Sequence, residues 1–456
     1  MLTRFKHLWV NDKDNIKKAL EVAWPAIMES FFVAVVAMID SFMVSQLGAY
    51  AVAAVGLTVQ PKFIGLAMFF AINTAVSATI ARRKGQGDRK SANELFFSAI
   101  LAVIVLSIVI STIIVVFADP IIRLIGSEAD THDSAVFYLR IIMGGMIFNV
   151  LSLVINAAQR GSGNTRIAMR TNLVSNAVNV VFNYLLIGGN FGFPEWGVAG
   201  AAVATVIGTM AACVMSFASL FRSDSFVNIK YIMQEKIRAS LHRLLSIREF
   251  IANVFLEQIM LRMGFLLSAM ITANLGTTAF AINQVGGNVL SISFSFGDGL
   301  QVAAVTLIGQ SLGQGKPENA MRYGKICQSI GLAISFVIAT IYLLFGRMYY
   351  ATFFPGDIES INIGYVIMMY TCIITLFQIS QVIYMGSLRA AGDVKFTTMV
   401  STISVGIVRP AVSFALAYGL GFGLYGIWTG ILIDQSIRLI STMLRFRSGK
   451  WIHREL

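Results

Sequence analysis

Charge is scarce in this chain: Asp, Glu, Lys and Arg make up 13% of its 456 residues, against roughly 25% in an ordinary soluble domain. That scarcity excludes a water-soluble globular fold. The three cysteines, Cys213, Cys327 and Cys372, are scattered through separate apolar runs. They exclude a disulfide framework and a cysteine metal site. The four histidines, His7, His132, His242 and His453, all lie outside the apolar runs, so proton work within those runs is left to carboxylates. HExxH, GxSxG and Cys/His clusters are missing, which argues against an enzyme and leaves a membrane-embedded one as a remote alternative. Alternating segments of about ten residues are also missing, so a β-barrel is excluded. The opening "MLTRFKHLWVNDKDNIKK" is polar and basic and leads straight into a full-length apolar run, so no signal peptide is expected.

What the chain has instead is apolar length. Hydrophobic residues make up 56% of it, in blocks such as "FFSAILAVIVLSIVISTIIVVFA" over 96–118. A block of about 20 apolar residues crosses a bilayer as a helix. Twelve are present, near 20–47, 52–81, 92–118, 134–158, 166–188, 198–221, 249–274, 277–311, 321–346, 361–387, 396–419 and 425–444. The reading is an all-α membrane protein of twelve transmembrane helices, multi-pass, with the lipid bilayer as its surroundings. The net charge of +12 would suit nucleic acid, but its distribution excludes that partner. Of the 35 Lys and Arg, 28 fall at the termini and in alternate connections, while the opposite side keeps only Lys62, Arg123 and Arg347. The positive-inside rule then predicts both termini in the cytoplasm.

The chain also repeats itself. Gly48 in "SQLGAYAVAAVGL" corresponds to Gly276 in "ANLGTTAFAINQV", 228 residues on. Gly85 and Gly87 correspond to Gly313 and Gly315 at the same offset, and Arg160 and Gly163 to Arg389 and Gly392 at 229. Trp196-Gly197 pairs with Tyr425-Gly426, also at 229. Each copy holds six runs, so the copies share orientation, and two six-helix bundles related by a pseudo-two-fold axis along the membrane normal are expected. The divisions are 1–225, a cytoplasmic linker helix at 226–247, and 248–456. In the linker, Ile237, Leu241, Leu244 and Leu245 share one helical face, which predicts a short helix lying on the membrane surface.

A few polar residues interrupt the apolar runs. In "MESFFVAVVAMIDSFMV" (28–44) stand Glu29 and Asp40. A carboxylate in hydrocarbon is costly and marks a candidate functional site. The two acids point within about 20° of each other and lie about 16 Å apart along the helix. Glu29 repeats as Glu257, whereas the residue 228 after Asp40 is Ser268. Glu257 is a candidate cation or substrate site, or the partner of a base such as Arg262. Glu29 is a cavity candidate, or a structural hydrogen-bonding residue. No basic residue of its own run lies within reach of Asp40. Asn179 and Asn183 share one face of the fifth run. They could orient a carboxylate, coordinate a cation or bond helix to helix. Pro25 removes an intrahelical bond and predicts a bend in the first helix. Asp434 and Arg438 are spaced to pair. Arg409-Pro410 predicts a break in the eleventh helix. Asp298, between glycines in "SFGDGLQ", either lines a cavity or satisfies loosened backbone. The glycine-rich "GQGDRK" and "RGSGNTR" lack phosphate-loop spacing.

Taken together, "MIDSFMVSQLGAYAVAAVGL", "AAQRGSGNTRIAMRTNLVSNAVNVVFNYLLIGGNFGFPEWGVAGAAVAT" and "RFRSGKW" resemble the multidrug and toxic compound extrusion (MATE) family over nearly the whole chain. The resemblance implies a bacterial inner-membrane antiporter, a monomer, exporting small organic cations in exchange for H+ or Na+, without a cofactor. It implies cation coupling at Asp40, Asn179, Asn183 and Thr205, with Na+ held there if Na+ is the coupling ion. Pro25 matches the proline of a bending first helix, and Glu257 the acid of the NorM-like branch. Two positions depart from the family pattern. Asn183 stands where many members have an aspartate, and Gln378 stands where NorM-like members have the acidic partner of Glu257. A lipid-linked precursor flippase of the same superfamily is the alternative, and a channel a more distant one. The scattered Arg140, Arg262, Arg409 and Arg438 argue against the flippase.

Overall fold

The computed structural model describes residues 13–222 and 225–452, and every regular element among them is helical. The expectations for the termini, His7 and His453 therefore lie outside the described residues. In chain order the helices are α1 (Lys13–Ser45), α2 (Ala49–Gln86), α3 (Arg89–Val116), α4 (Ala118–Leu124), α5 (Ala129–Gly144), α6 (Met146–Gly161), α7 (Thr165–Ile187) and α8 (Gly197–Ser219). There follow α9 (Ile229–Gln234), α10 (Leu241–Ser246), α11 (Arg248–Ala273), α12 (Thr277–Gly313), α13 (Pro317–Phe353), α14 (Ile358–Ala390), α15 (Val394–Ile403), α16 (Arg409–Phe414) and α17 (Gly423–Arg447).

These make twelve traverses in two sets of six. Among the described residues ten are long and apolar enough to cross a bilayer, with the bent pair α5–α6 counted as one. The other two, α7 and α17, have 23 and 25 residues. Their windows are diluted by charged and amide side chains, several of them buried. The 46° bend between α5 and α6 falls at Gly145, where a Cβ would lie 2.6 Å from the Val206 methyls. A larger residue there would push α8 away.

The repeat is visible in the turns. Gly48 and Gly276 have φ of 110° and 104°, Gly87 and Gly315 75° and 69°, Gly163 and Gly392 87° and 88°. Residues with a Cβ pay heavily for these conformations. The fourth landmark is corrected. Gly197 opens α8 with φ 52°, and its counterpart opening α17 is Gly423, also 52°, not Gly426. The eleventh traverse ends later than the fifth, and the connection after it is shorter, so the register slips.

The chain divides into two compact units. One is Phe31–Phe255; the other joins Leu256–Leu456 to the segment ending at Ser30. Helix α1 thus contributes to both, and it runs unbroken through Pro25. The eleventh helix does not break at Pro410. It widens into π turns at Ser404–Val408 and Ala415–Gly419, on either side of α16. The linker is two short helices, α9 and α10, rather than one. Between them Lys236 takes φ 48°, and the Ile237 amide reaches back to the Ile232 carbonyl (2.9 Å), which ends the first helix in a Schellman turn. The linker docks on α3: Arg243 pairs with Glu94 at 2.9 Å, and Arg89 donates to the Ser225 and Phe226 carbonyls at 3.0 Å.

Candidate functional site

Within the Phe31–Phe255 unit, small residues bring α7 against α8. A Cβ on Gly200 would lie 2.4 Å from the Leu186 carbonyl, and one on Gly208 2.8 Å from that of Ser175. Such close approach is how helices associate in lipid. Ser175 adds a hydrogen bond from its hydroxyl to the Gly208 carbonyl, 2.8 Å. This packing sets Thr205 of α8 opposite Asn179 of α7.

The resulting polar chain is continuous. Asn183 Nδ2 donates to Asp40 Oδ1 at 2.7 Å. It also lies 3.5 Å from Asn179 Oδ1, and Asn179 Nδ2 donates to Thr205 Oγ1 at 3.2 Å. Thr205 in turn donates to the Ala201 carbonyl, 3.0 Å, with the buried Tyr138 beside it. Both asparagines are buried. Asn183 turns its nitrogen to the carboxylate, and its own oxygen is buried without a hydrogen-bond partner among the described residues. The structure therefore brings together Asp40, Asn179, Asn183 and Thr205. It adds Tyr138, which the sequence reading missed; a lone tyrosine in "SAVFYLRIIMGG" carries no signal of its own.

Lys62 is a second residue that the sequence reading misplaced. It is not in an outer connection but within α2, 13 residues past the first residue of that helix, or about 20 Å along its axis. It lines a cavity of about 250 Å³ with Phe63, Phe70, Met146, Asn149 and Thr205. Its ammonium lies 5.5 Å from the centre of the Phe63 ring. The charges of Lys62 and Asp40 act on each other, although no ion pair joins them. The usable signal was its place in "LTVQPKFIGLAMFF", with apolar residues on both sides.

The other unit holds its acids differently. Glu257, 1% exposed, accepts from Arg389 Nη2 and from Ser401 Oγ, each at 2.6 Å. Its basic partner is thus Arg389 rather than Arg262. Gln378 is buried with its amide oxygen unpartnered among the described residues, and no hydrogen bond joins it to Glu257. It lies eleven residues before Arg389 on α14, or about 16 Å along the helix. A carboxylate already paired and bonded to a hydroxyl is poorly suited to anchor a passing cation. Asp434 accepts two bonds from Arg438, 3.0 and 2.9 Å, and one from Ser404 Oγ, 2.6 Å. The expected pair is present, and it is buried. Arg409 lies with its guanidinium 5.1 Å from the centre of the Phe265 ring. Asp298 accepts from Ser30 Oγ at 3.3 Å, next to Gly299, where a Cβ would lie 2.5 Å from the Ile27 backbone. It therefore serves the packing of α1 on α12. Glu29 is buried, 7% exposed, in the same part of α1.

Among the described residues no group of three or more His, Cys, Asp and Glu could hold a metal ion. For Na+, the side-chain oxygens within this cluster come from Asp40, Asn179, Asn183 and Thr205. Hard cations ask for about six oxygens, and the Asn183 nitrogen occupies the place beside Asp40 that such an ion would take.

The MatE family model matches residues 25–185 and 254–415, one match in each half. A probable multidrug resistance protein NorM of Thermotoga maritima is 28% identical over 95% of this chain and 93% of its own length. The uncharacterized transporter YisQ of Bacillus subtilis is 28% identical over 97% and 96%. Among solved structures, an outward-facing multidrug resistance MATE family transporter of the MOP superfamily superposes with a TM-score of 0.88, at 18% identity, over 96% of this chain and 97% of that one.

Proposed function

The chain belongs to the MatE family, and from that premise we propose a proton-driven antiporter exporting small amphipathic organic cations across the bacterial inner membrane. It works as a monomer, with both termini in the cytoplasm, and is not an enzyme. The observation that carries the reading is the Asp40 cluster, an acid in a membrane helix that accepts from the Asn183 amide at 2.7 Å. One carboxylate suffices to carry a proton. Asn183 holds Asp40, Asn179 accepts from Asn183, and Thr205 accepts from Asn179. When Asp40 takes a proton its charge is gone, and a cationic substrate loses the anion that holds it. Proton and substrate then compete for one group, which is the condition for exchange. The membrane potential supplies about 2.3 kcal/mol per charge per 100 mV. Na+ in place of H+ is the second reading; the unpartnered Asn183 oxygen favours it, and the nitrogen facing Asp40 opposes it. A lipid-linked precursor flippase would need several bases in one cavity, and the cavity beside Thr205 is lined by a single one, Lys62.

The test is ethidium efflux in everted vesicles with ΔpH and Na+ gradients imposed separately. Efflux that follows ΔpH without Na+ supports the proposal. Efflux that needs a Na+ gradient and ignores ΔpH replaces H+ by Na+. Downhill leak with no accumulation under either gradient overturns antiport.

A further inference from the structure

The linker between the halves is held at a defined depth along α3. Ser240, between α9 and α10, donates its amide to Ser98 Oγ at 2.9 Å, and Arg243 pairs with Glu94 at 2.9 Å. Glu94 and Ser98 begin a row on α3 that continues through Leu101, Val105 and Ile108. Those three are exposed, which on an apolar membrane helix means that they face lipid. The linker therefore covers the N-terminal end of a lipid-facing row. Ser98 lies two residues inside the apolar run that opens at Phe96, so the linker stands beside the membrane edge rather than beneath it. Its protein-facing side is filled. Ile232, Ile237 and Ile247 are buried, and the Asn228 amide donates to Asn93 Oδ1 at 3.0 Å. Its other side is open: Met233 is 71% and Leu245 46% exposed. The apolar face expected for Ile237 and Leu245 is thus split between protein and surroundings. Lys230 stands three residues before Met233 and His242 three before Leu245, each pair on one face of its helix. Lys230, Lys236, Arg238 and Arg248 are exposed and make no ion pair among the described residues. Two carboxylates, Glu235 and Glu249, share this stretch with them.

We infer that the open side of the linker is a docking surface for anionic phospholipid, with Lys230, Arg238 and Arg248 on the phosphates and Met233 and Leu245 in the acyl boundary. Bases together with large apolar side chains are what an interfacial segment presents to a charged headgroup layer. An anionic surface attracts each base that lies within a Debye length of it. A soluble acidic partner would answer the bases but not the depth fixed at Ser98. A free phosphate would leave both apolar side chains in water. Lipid answers the charge, the apolar side chains and the depth together. Because the linker is bonded to Glu94 and Ser98, lipid bound to it also holds it against α3. On the orientation proposed above, the lipid is that of the cytoplasmic leaflet.

The test is hydrogen exchange of the linker amides, read by mass spectrometry on the full-length protein in nanodiscs. One set of discs holds phosphatidylcholine alone, and the other phosphatidylcholine mixed with phosphatidylglycerol. Exchange across α9 and α10 should be about tenfold slower, or more, with phosphatidylglycerol, since each base near an anionic surface adds to the attraction. The triple variant Lys230→Gln/Arg238→Gln/Arg248→Gln should lose that difference. The charge-keeping variant Lys230→Arg/Arg238→Lys/Arg248→Lys should retain it, which controls for folding. Met233→Ser/Leu245→Ser should reduce the difference, and an unreduced one overturns the apolar insertion. Equal exchange in the two discs, or the full difference in the glutamine variant, overturns the inference. Equal protection by soluble glycerol phosphate in phosphatidylcholine discs replaces lipid by a free phosphate. Protection by polyglutamate, with none by phosphatidylglycerol, replaces it by an acidic protein. Discs expose both faces of the membrane, so the result stands or falls separately from the proposed orientation and from the coupling ion.

Discussion

The two halves share a turn geometry and differ in how they treat charge. Asp40, Lys62 and Thr205 in the first half correspond to Ser268, Leu290 and Ile431 in the second. Ser268 turns its hydroxyl back onto the Gly264 carbonyl of its own helix, 2.8 Å. Where the first half holds an acid with amides, the second holds Glu257 and Asp434 with Arg389 and Arg438. Replacing one partner of a buried ion pair leaves the other charge stranded, so paired acids are fixed in one state. An acid that accepts from a neutral amide, as Asp40 does from Asn183, can take up a proton without breaking a bond to a guanidinium. On the proposed function, coupling belongs to the first copy, and the paired acids of the second serve as framework.

The largest effect should come from Asp40→Asn. The amide keeps the shape and the bond to Asn183 after a flip, yet cannot titrate. Coupled efflux in everted vesicles should fall to the level of empty controls, with expression and thermal stability unchanged. Wild-type efflux by this variant would move the coupling site out of the first half.

Glu257→Gln should behave in the opposite way. It strands the Arg389 guanidinium, at a cost of about 3–5 kcal/mol, seen as a lower melting temperature in detergent. The double variant Glu257→Gln/Arg389→Met should recover most of that loss. If instead Glu257→Gln folds normally and loses transport selectively, the second half holds a functional acid and the contrast collapses.

A matched pair of glycines sharpens the comparison. A Cβ on Gly208 would meet the Ser175 carbonyl at 2.8 Å, and one on Gly264 the Val405 carbonyl at 2.2 Å. Both alanine variants should lose stability by about 1–3 kcal/mol, the usual cost of overpacking. Only Gly208→Ala should also change the pH dependence of efflux, because it pushes Thr205 away from Asn179. The same change in both variants would mean that helix packing, not the polar chain, sets coupling.

The smallest effect concerns the segment joining the halves. The left-handed backbone of Lys236 costs about 1–2 kcal/mol, and glycine gives back part of that in lost conformational freedom, so Lys236→Gly should stabilise the protein by about 0.5–1 kcal/mol. A destabilised variant, measured by thermal unfolding, would mean that the lysine side chain makes up for its strained backbone.

Much of the architecture was legible because lipid imposes one rule: apolar length means a helix. The three correctly paired turn glycines were legible because a positive φ leaves a residue type as its trace. The fourth was misread because Trp196-Gly197 and Tyr425-Gly426 look alike as dipeptides, whereas the register depends on loop length. Of the site, Asp40, Asn179 and Asn183 stood out as polar residues in apolar runs. Lys62 was hidden because the direction of a side chain is decided by which helices pack around it. The partner of Glu257 was hidden for a similar reason: Arg389 is 132 residues away in sequence, and no spacing rule reaches that far.

The eleventh traverse carries one more consequence. A π turn is what a single inserted residue becomes when a helix absorbs it without losing its hydrogen-bond ladder. Two of them, Ser404–Val408 and Ala415–Gly419, bracket Arg409–Phe414. The six residues between them are mounted like a sleeve between two slack couplings. Sliding either wide turn by one residue re-aims the side chains it passes by about 100°, the step of one residue on a helix, while the rest of the rod keeps its azimuth. Arg409 sits on that sleeve, so its aim at the Phe265 ring depends on where the two wide turns stand as well as on its place in the chain.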